Sequence, residues 1–170
     1  PVINWQSVRL LLIMSILMGL PTKQIDYTAA FVQADIDTEV YVEMPKGFSI
    51  PGKVYKLNKC LYGLKQSPRN YYQHLKSKLE KIGSRQSDAD PCLFIKRDVI
   101  CLIYVDDQLL FGKTQEALDQ VVLDLEREEM PFEEEDDVAG FLGVHINQKS
   151  DGTIELTQTG LIKRCIKALN

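Results

Sequence analysis

Two adjacent carboxylates, Asp106 and Asp107, lie between two strongly apolar runs at residues 101–105 and 109–111. Apolar runs of this length, parted by polar residues, read as strands joined by a tight turn. A turn at Asp106-Asp107 would carry oxygens that can only accept hydrogen bonds to the edge of a sheet. There a hard cation such as Mg²⁺ can meet carboxylates and substrate phosphates while keeping some of its waters. Aspartate is also a common turn former, so the pair alone fits an ordinary turn as well. A third acid, Asp26, ends a short strand, Gln24-Ile25-Asp26-Tyr27. Paired beside the hairpin, that strand would bring Asp26 and Asp106 together around two cations. Two metals about 3.5–4 Å apart stabilise the attacking and departing oxygens of an in-line phosphoryl transfer. A strand-end acid in a local hydrogen bond is the alternative for Asp26.

The elements that must position these acids are marked by their punctuation. A first helix follows Asn4 as N-cap and stops at Gly19, just before Pro21. Its apolar positions nearly surround the axis, which predicts a buried helix. A strand at residues 23–27 and a loop through Asp35 and Asp37 come next. Residues 40–44 and 54–57 read as two strands joined by Pro-Lys-Gly-Phe and Pro-Gly turns. The best-marked helix has Ser67 as cap, Pro68 at the first helical position and Gly83 at its close. Tyr72, Leu75, Leu79 and Ile82 share one face of it. Residues 92–96 turn at Arg97-Asp98 into 99–105, and 108–112 leave on the far side of the acids, giving three successive antiparallel strands. Thr114 caps a helix with Leu118, Val121, Val122 and Leu125 on one face, ended by Pro131. Residues 141–148 and 153–158 form a hairpin around Asp151-Gly152, and a last helical pattern begins near Leu161. Strands and helices mix without strict alternation, which favours an α+β fold.

The chain's 170 residues suit one compact domain, and 45% apolar residues are ample for a packed core. The longest uncharged apolar stretch, residues 10–20, is too short to span a bilayer, which needs about 20 residues. It also lacks the basic leader and cleavage site of a signal peptide. Cys60, Cys92, Cys101 and Cys165 show no zinc-ligand spacing, so reduced thiols in an intracellular compartment are expected. The net charge of −4 argues mildly against a nucleic-acid partner, but it conceals an asymmetry. Residues 46–85 hold ten Lys or Arg and a single acid, Glu80, whereas residues 126–137 hold eight acids and one base, Arg127. The basic block is long enough to track a phosphate backbone. A solvated lysine-rich helix face explains it equally well.

Six motifs in order give the chain a family resemblance that covers essentially its whole length. Tyr104-Val105-Asp106-Asp107 resembles the Tyr-x-Asp-Asp box of retroviral and retrotransposon reverse transcriptases. Lys23-Gln24-Ile25-Asp26-Tyr27-Thr28-Ala29-Ala30-Phe31 resembles the first catalytic-aspartate motif of copia-type elements. Leu61-Tyr62-Gly63-Leu64-Lys65-Gln66-Ser67-Pro68-Arg69 is similar to the template-and-nucleotide motif before a palm helix. The stretches at residues 40–48 and 87–94, and Phe141-Leu142-Gly143, also fit.

The resemblance implies an α+β reverse-transcriptase palm, an antiparallel sheet packed against helices with fingers and thumb incomplete. Residues 1–158 would form the partial polymerase domain and residues 159–170 the start of a following helix. Asp26, Asp106 and Asp107 would be the catalytic carboxylates, and Asp26, Tyr27 and Asp106 would hold two Mg²⁺ ions, with Mn²⁺ able to substitute. Phe31, five residues after Asp26, would stand against the incoming sugar and exclude a 2′-hydroxyl. Tyr62, Gly63 and Lys65 would line the nucleotide pocket. Ser67, Pro68, Arg69 and Tyr104 would meet nucleic acid, and Phe141, Leu142 and Gly143 would grip the primer terminus. The implied partners are an RNA or DNA template, a DNA primer and deoxynucleoside triphosphates, with no membrane. The implied setting is a larger pol polyprotein in cytoplasmic retrotransposon particles.

Two departures from the family pattern stand out. The sequence opens inside the family's domain, so the fingers strands that hold the triphosphate would lie upstream, and thumb and ribonuclease H regions downstream. Where copia-type proteins carry a Lys-Asp-Leu-Gly loop, this chain has Glu133-Glu134-Glu135-Asp136-Asp137-Val138 and no lysine. A lysine there could protonate pyrophosphate, and general-acid help is worth about 10²–10⁴-fold. A catalytically inactive remnant that at most binds nucleic acid is therefore the second reading. A palm-fold nucleotidyl cyclase shares the paired acids but accounts for neither Ser67-Pro68 nor the Phe141 hairpin.

Overall fold

A computed structural model describes residues 1–135, 140–141 and 144–169. In chain order the elements are α1 (Trp5–Met18), β1 (Thr22–Tyr27), α2 (Ala30–Gln33), β2 (Tyr41–Val42), β3 (Tyr55–Lys56), α3 (Ser67–Lys81), β4 (Arg85–Gln86), β5 (Leu93–Lys96), β6 (Val99–Tyr104), β7 (Asp107–Gly112), α4 (Gln115–Arg127), β8 (Phe132–Glu135), β9 (Gly140–Phe141), β10 (Val144–Gln148), β11 (Ile154–Thr157) and α5 (Thr159–Leu169). Six strands form one antiparallel sheet in the order β4-β5-β6-β7-β1-β8. The strand carrying Asp26 thus sits directly beside the hairpin that carries the other two acids.

The central strands are covered on both faces, which explains why β6 and β7 read as continuous apolar runs. From Gln108 to Gly112 every residue of β7 is buried. Helix α4 packs its Leu118, Val121, Val122 and Leu125 face against β1, β6 and β7. Thr114 caps it as expected, its side chain accepting from the Ala117 N–H at 3.3 Å. Helix α3 buries Tyr71, Leu75 and Leu79, one turn apart. Tyr72 and Ile82, expected on that face, are only partly buried against the core; Lys76 and Lys78 are half-buried too, while Lys81 is exposed. The antiparallel sheet packed against helices is the α+β arrangement the sequence predicts.

Several local expectations are corrected. Helix α1 is not enclosed: Val8, Leu11 and Leu12 are buried, but Leu10, Ile13 and Leu17 are exposed. Contacts tie down one side only, where Ser7 Oγ donates to Asp90 at 2.6 Å. Ser67 does not cap α3, because Gln66 is the N-cap residue and Ser67 Oγ donates to the Leu61 carbonyl at 2.7 Å. That bond folds the preceding loop onto the helix start. The expected strands at 40–44 and 54–57 contract to the short β2–β3 ladder, Tyr41 opposite Lys56. The run 141–148 is divided between β9 and β10, which pair with each other, Phe141 opposite Val144. The acids at 133–135, where the family pattern has a loop, belong to β8, an edge strand on β1.

Candidate active site

The geometry around the acids is set by strand register. The turn lies one residue earlier than the sequence suggests: Val105 and Asp106 form it, and Tyr104 faces Asp107 across the hairpin. Asp107 is drawn into the ladder because β7 also pairs with β1, placing Asp26 opposite Asp107. Directly opposed residues of an antiparallel pair project from the same face. Asp26 and Asp107 therefore share a face, with Asp106 beside them on the turn. The Tyr27 N–H donates to the Asp106 carbonyl at 2.8 Å, tying the turn to β1. Val105 has φ of 55°, a strained backbone for a β-branched residue, at the tip of this turn.

Electrostatics mark the same spot. Burial, then the charge of Asp106, then that of Glu133 hold the Asp26 carboxyl above its ordinary range. Glu133 stands there because β8 pairs with β1 on its other side, putting Glu133 opposite Asp26. Its neighbour Glu134 is engaged elsewhere, accepting from the buried Lys23 ammonium at 2.8 Å, while Asp119 of α4 accepts from the same ammonium at 3.2 Å. The sequence assigns no separate role to Lys23 or Gln108, and Glu133 stands out there only as the first of the acids that depart from the family pattern. A lone glutamine beside Asp107 in an otherwise apolar strand was the available signal for Gln108.

The other expected site residues divide into those gathered here and those elsewhere. Phe31, on the short α2, is nearly buried, with its ring centroid 4.5 Å from that of Tyr62 and 6.0 Å from that of Tyr71. Tyr62 is the exposed member of this stack. Burial and then the charges of Asp106 and Asp26 raise its phenol's affinity for its proton, which places it within electrostatic reach of the acids. Gly63 has φ of 92°, which a side chain would strain. Lys65, Pro68, Arg69, Tyr71 and Val105 help line a cavity of about 260 Å³ beside the turn. Tyr104 is half-buried against the core. Tyr27 points its phenol into the core, so its carbonyl is what it can offer a cation. Phe141 lies in the separate β9-β10-β11 sheet; Leu142 and Gly143 fall outside the described residues.

The whole chain, residues 1–170, matches the family described as reverse transcriptase (RNA-dependent DNA polymerase). It is 33% identical over 181 residues to the retrovirus-related Pol polyprotein from transposon TNT 1-94 of Nicotiana tabacum, covering 100% of this chain and 13% of that protein. It is 35% identical over 159 residues to the corresponding polyprotein from transposon RE1 of Arabidopsis thaliana, covering 89% of this chain and 11% of that protein. A truncated transposon Ty1-A Gag-Pol polyprotein of Saccharomyces cerevisiae is 35% identical over 106 residues, covering 62% of this chain and 9% of that protein. The chain belongs to the copia-type reverse transcriptases. It spans about one eighth or less of the length of these curated relatives. Reverse transcriptase membership gives the carboxylates a family context.

Reverse transcriptases act through divalent metals, so the donor set of this chain can be tested for fit. Among the described residues no group of three or more His, Cys, Asp and Glu side chains stands ready to enclose an ion. What the strands do bring together is negative charge at Asp26 and Asp106. That suits Mg²⁺, which binds through one or two carboxylates plus substrate phosphates and retained waters, not through a closed protein cage. Among the described residues no helix is long and apolar enough to cross a membrane.

Proposed function

We propose that this chain forms the palm of an RNA-directed DNA polymerase and carries its catalytic centre. The observation that supports this most is the register that sets Asp26 against Asp107 with Asp106 on the adjoining turn. Asp26 and Asp106 would hold two Mg²⁺ ions, or Mn²⁺ in their place, with Asp107 completing the carboxylate cluster. The ions, when bound, acidify a primer 3′-hydroxyl and neutralise the departing pyrophosphate. The chain's own part is to keep the acids on one face and to orient what approaches them.

Each neighbouring group has a role in that orientation. Phe31 and Tyr62 form the wall against the incoming sugar, and Gly63 leaves room for the nucleotide. Lys65 and Arg69, which line the cavity beside the turn, would meet the nucleotide and template phosphates. Ser67 and Pro68 shape the loop that presents them, and Tyr104, opposite Asp107 on the hairpin, would meet the nucleic acid. Phe141, Leu142 and Gly143 grip the primer end. The natural partners are an RNA or DNA template, a DNA primer and deoxynucleoside triphosphates. The natural setting is a larger pol polyprotein within a cytoplasmic retrotransposon particle.

The test is primer extension on an RNA template with Mg²⁺, using the full-length protein and its Asp106→Asn variant. Loss of nearly all extension in the variant supports the proposal. Extension by the variant at the parent's rate overturns it, and a parent with no extension favours the inactive remnant.

A further inference from the structure

The two strands that carry the acids are also joined on their opposite face. Tyr27 follows Asp26 on β1, and Gln108 follows Asp107 on β7, so strand alternation sends both into the core. There the Tyr27 phenol donates to Gln108 Oε1 across the strand joint. Tyr27 is 1% exposed and Gln108 not at all. The Tyr27 ring is held edge-on by Tyr71, at 6.3 Å between centroids, and by Phe132, at 6.0 Å. Helix α3 and strand β8 contribute none of the acids at the turn, yet Tyr71 of the helix and Phe132 of the strand fix the donor from both sides.

A buried polar pair is an unusual choice at this place. Every other residue of β7 beyond Asp107 is apolar or glycine, and apolar groups would fill the space without a directional bond. A phenol–amide bond differs from such packing because it is satisfied in one alignment only. A slip of β1 along β7 by one residue would move every side chain to the other face. It would also separate Asp26 from Asp107.

We propose that Tyr27 and Gln108 form a positioning clasp that sets the alignment of the carboxylates toward divalent cations. This rests on the reading of Asp26 and Asp106 as cation ligands. Neither clasp residue need touch the cation by its side chain. Both act through the strand positions of the acids next to them, as hydrogen-bonded supports do for ligands elsewhere.

The test uses Tyr27→Phe, Gln108→Leu and the double variant in the full-length protein. Mn²⁺ binding is measured by electron paramagnetic resonance of the free ion, alongside the thermal midpoint. Each single variant leaves one buried polar group without its partner, whereas the double variant removes both and restores a purely apolar contact. The expected result is Mn²⁺ affinity weakened about tenfold in all three. The double variant regains thermal stability but not cation affinity. A merely structural pair gives the other pattern, with affinity returning together with the midpoint in the double variant. That pattern, or parental affinity in Tyr27→Phe, overturns the proposal. Asp106→Asn is the control for the underlying reading: if it binds Mn²⁺ like the parent, the acids are not ligands and both proposals fall. If it loses Mn²⁺ while the clasp variants keep it, the clasp alone falls.

Discussion

Replacing Asp26 by Asn should stabilise the cation-free protein while removing the proposed activity. Asp26 faces Asp107 across β7 and Glu133 across β8, with Asp106 on the adjoining turn. Like charges directly opposed on neighbouring strands cost about 0.2–1 kcal/mol per pair. Solvent still reaches the partly desolvated Asp26 and screens such repulsion, so relief of about 0.5–1 kcal/mol is expected. For a chain of this size that raises the thermal midpoint by about 1–4 °C. The pH dependence follows from the direction of the shift: burial and the charges of Asp106 and Glu133 give the folded Asp26 a greater proton affinity than the unfolded chain has. The parent's penalty is thus absent below the ordinary carboxylate range and develops as pH rises through the raised folded value. The variant's advantage should vanish in acid and be full at neutral pH. Divalent cations should reverse the order, because a ligand at 100 times its Kd adds about 2.7 kcal/mol to the protein that binds it. Differential scanning calorimetry in chelator and in Mn²⁺, at acidic and neutral pH, measures all of this. A variant less stable than the parent in chelator, or an advantage that persists unchanged in acid, refutes the reasoning.

Other expectations concern packing, pairing and selectivity. A Cβ added at Gly112 would lie 2.7 Å from Leu118 Cγ and 3.0 Å from the Thr114 carbonyl. Gly112→Ala should therefore cost about 1–3 kcal/mol, and an unchanged unfolding midpoint in urea would contradict that. Lys23→Met should cost about 1–2 kcal/mol, toward the lower end for a buried cation because Asp119 and Glu134 both retain some solvent. Burial alone would lower the Lys23 proton affinity, but the bonds to Glu134 and Asp119 outweigh it and raise it. Lysine's contribution is then full below its ordinary range and lost as pH rises through the raised value, so the cost should shrink in strong alkali. Tyr62→Ala removes the exposed ring stacked on Phe31, a pair worth about 0.5–1.5 kcal/mol. Rejection of ribonucleotides, measured as the ratio of kcat/KM values, should relax by about 2- to 10-fold.

What the sequence made legible was whatever is decided locally. The faces of α3 and α4 follow from helical spacing: Leu75 with Leu79, and Leu118 with Val121, Val122 and Leu125, all end up buried, although on α3 Tyr71 takes the core position expected of Tyr72, and Ile82 is only partly covered. The caps at Asn4 and Thr114 and the reversal at Gly19 behave as their types dictate. The misreadings occur where a distant partner decides. Ser67 looks like a cap because of Pro68 after it, but the Leu61 carbonyl claims its hydroxyl. The turn moves from Asp106-Asp107 to Val105-Asp106 because β1 draws Asp107 into the ladder. A run of acids shows no alternation, so β8 was invisible until Lys23 and β1 supplied its partners.

The same distinction explains why the site itself needed more than spacing. Asp106 and Asp107 announce a turn, and Asp26 announces a strand end, but no local rule joins elements about 80 residues apart in sequence. Side chains that do join them carry weak signals of their own. Tyr27 reads as one more aromatic in a strand, Gln108 as a polar residue near a turn, and Lys23 as a surface charge. Only in the sheet order β7-β1-β8 do they become the groups that hold Asp26 between two strands. The central position has a chemical consequence. A carboxylate on an edge strand could relax away from its neighbours, whereas Asp26, paired on both sides, must keep its charge where Asp106 and Glu133 already have theirs. The fold accepts that repulsion at a point where a bound cation would cancel it.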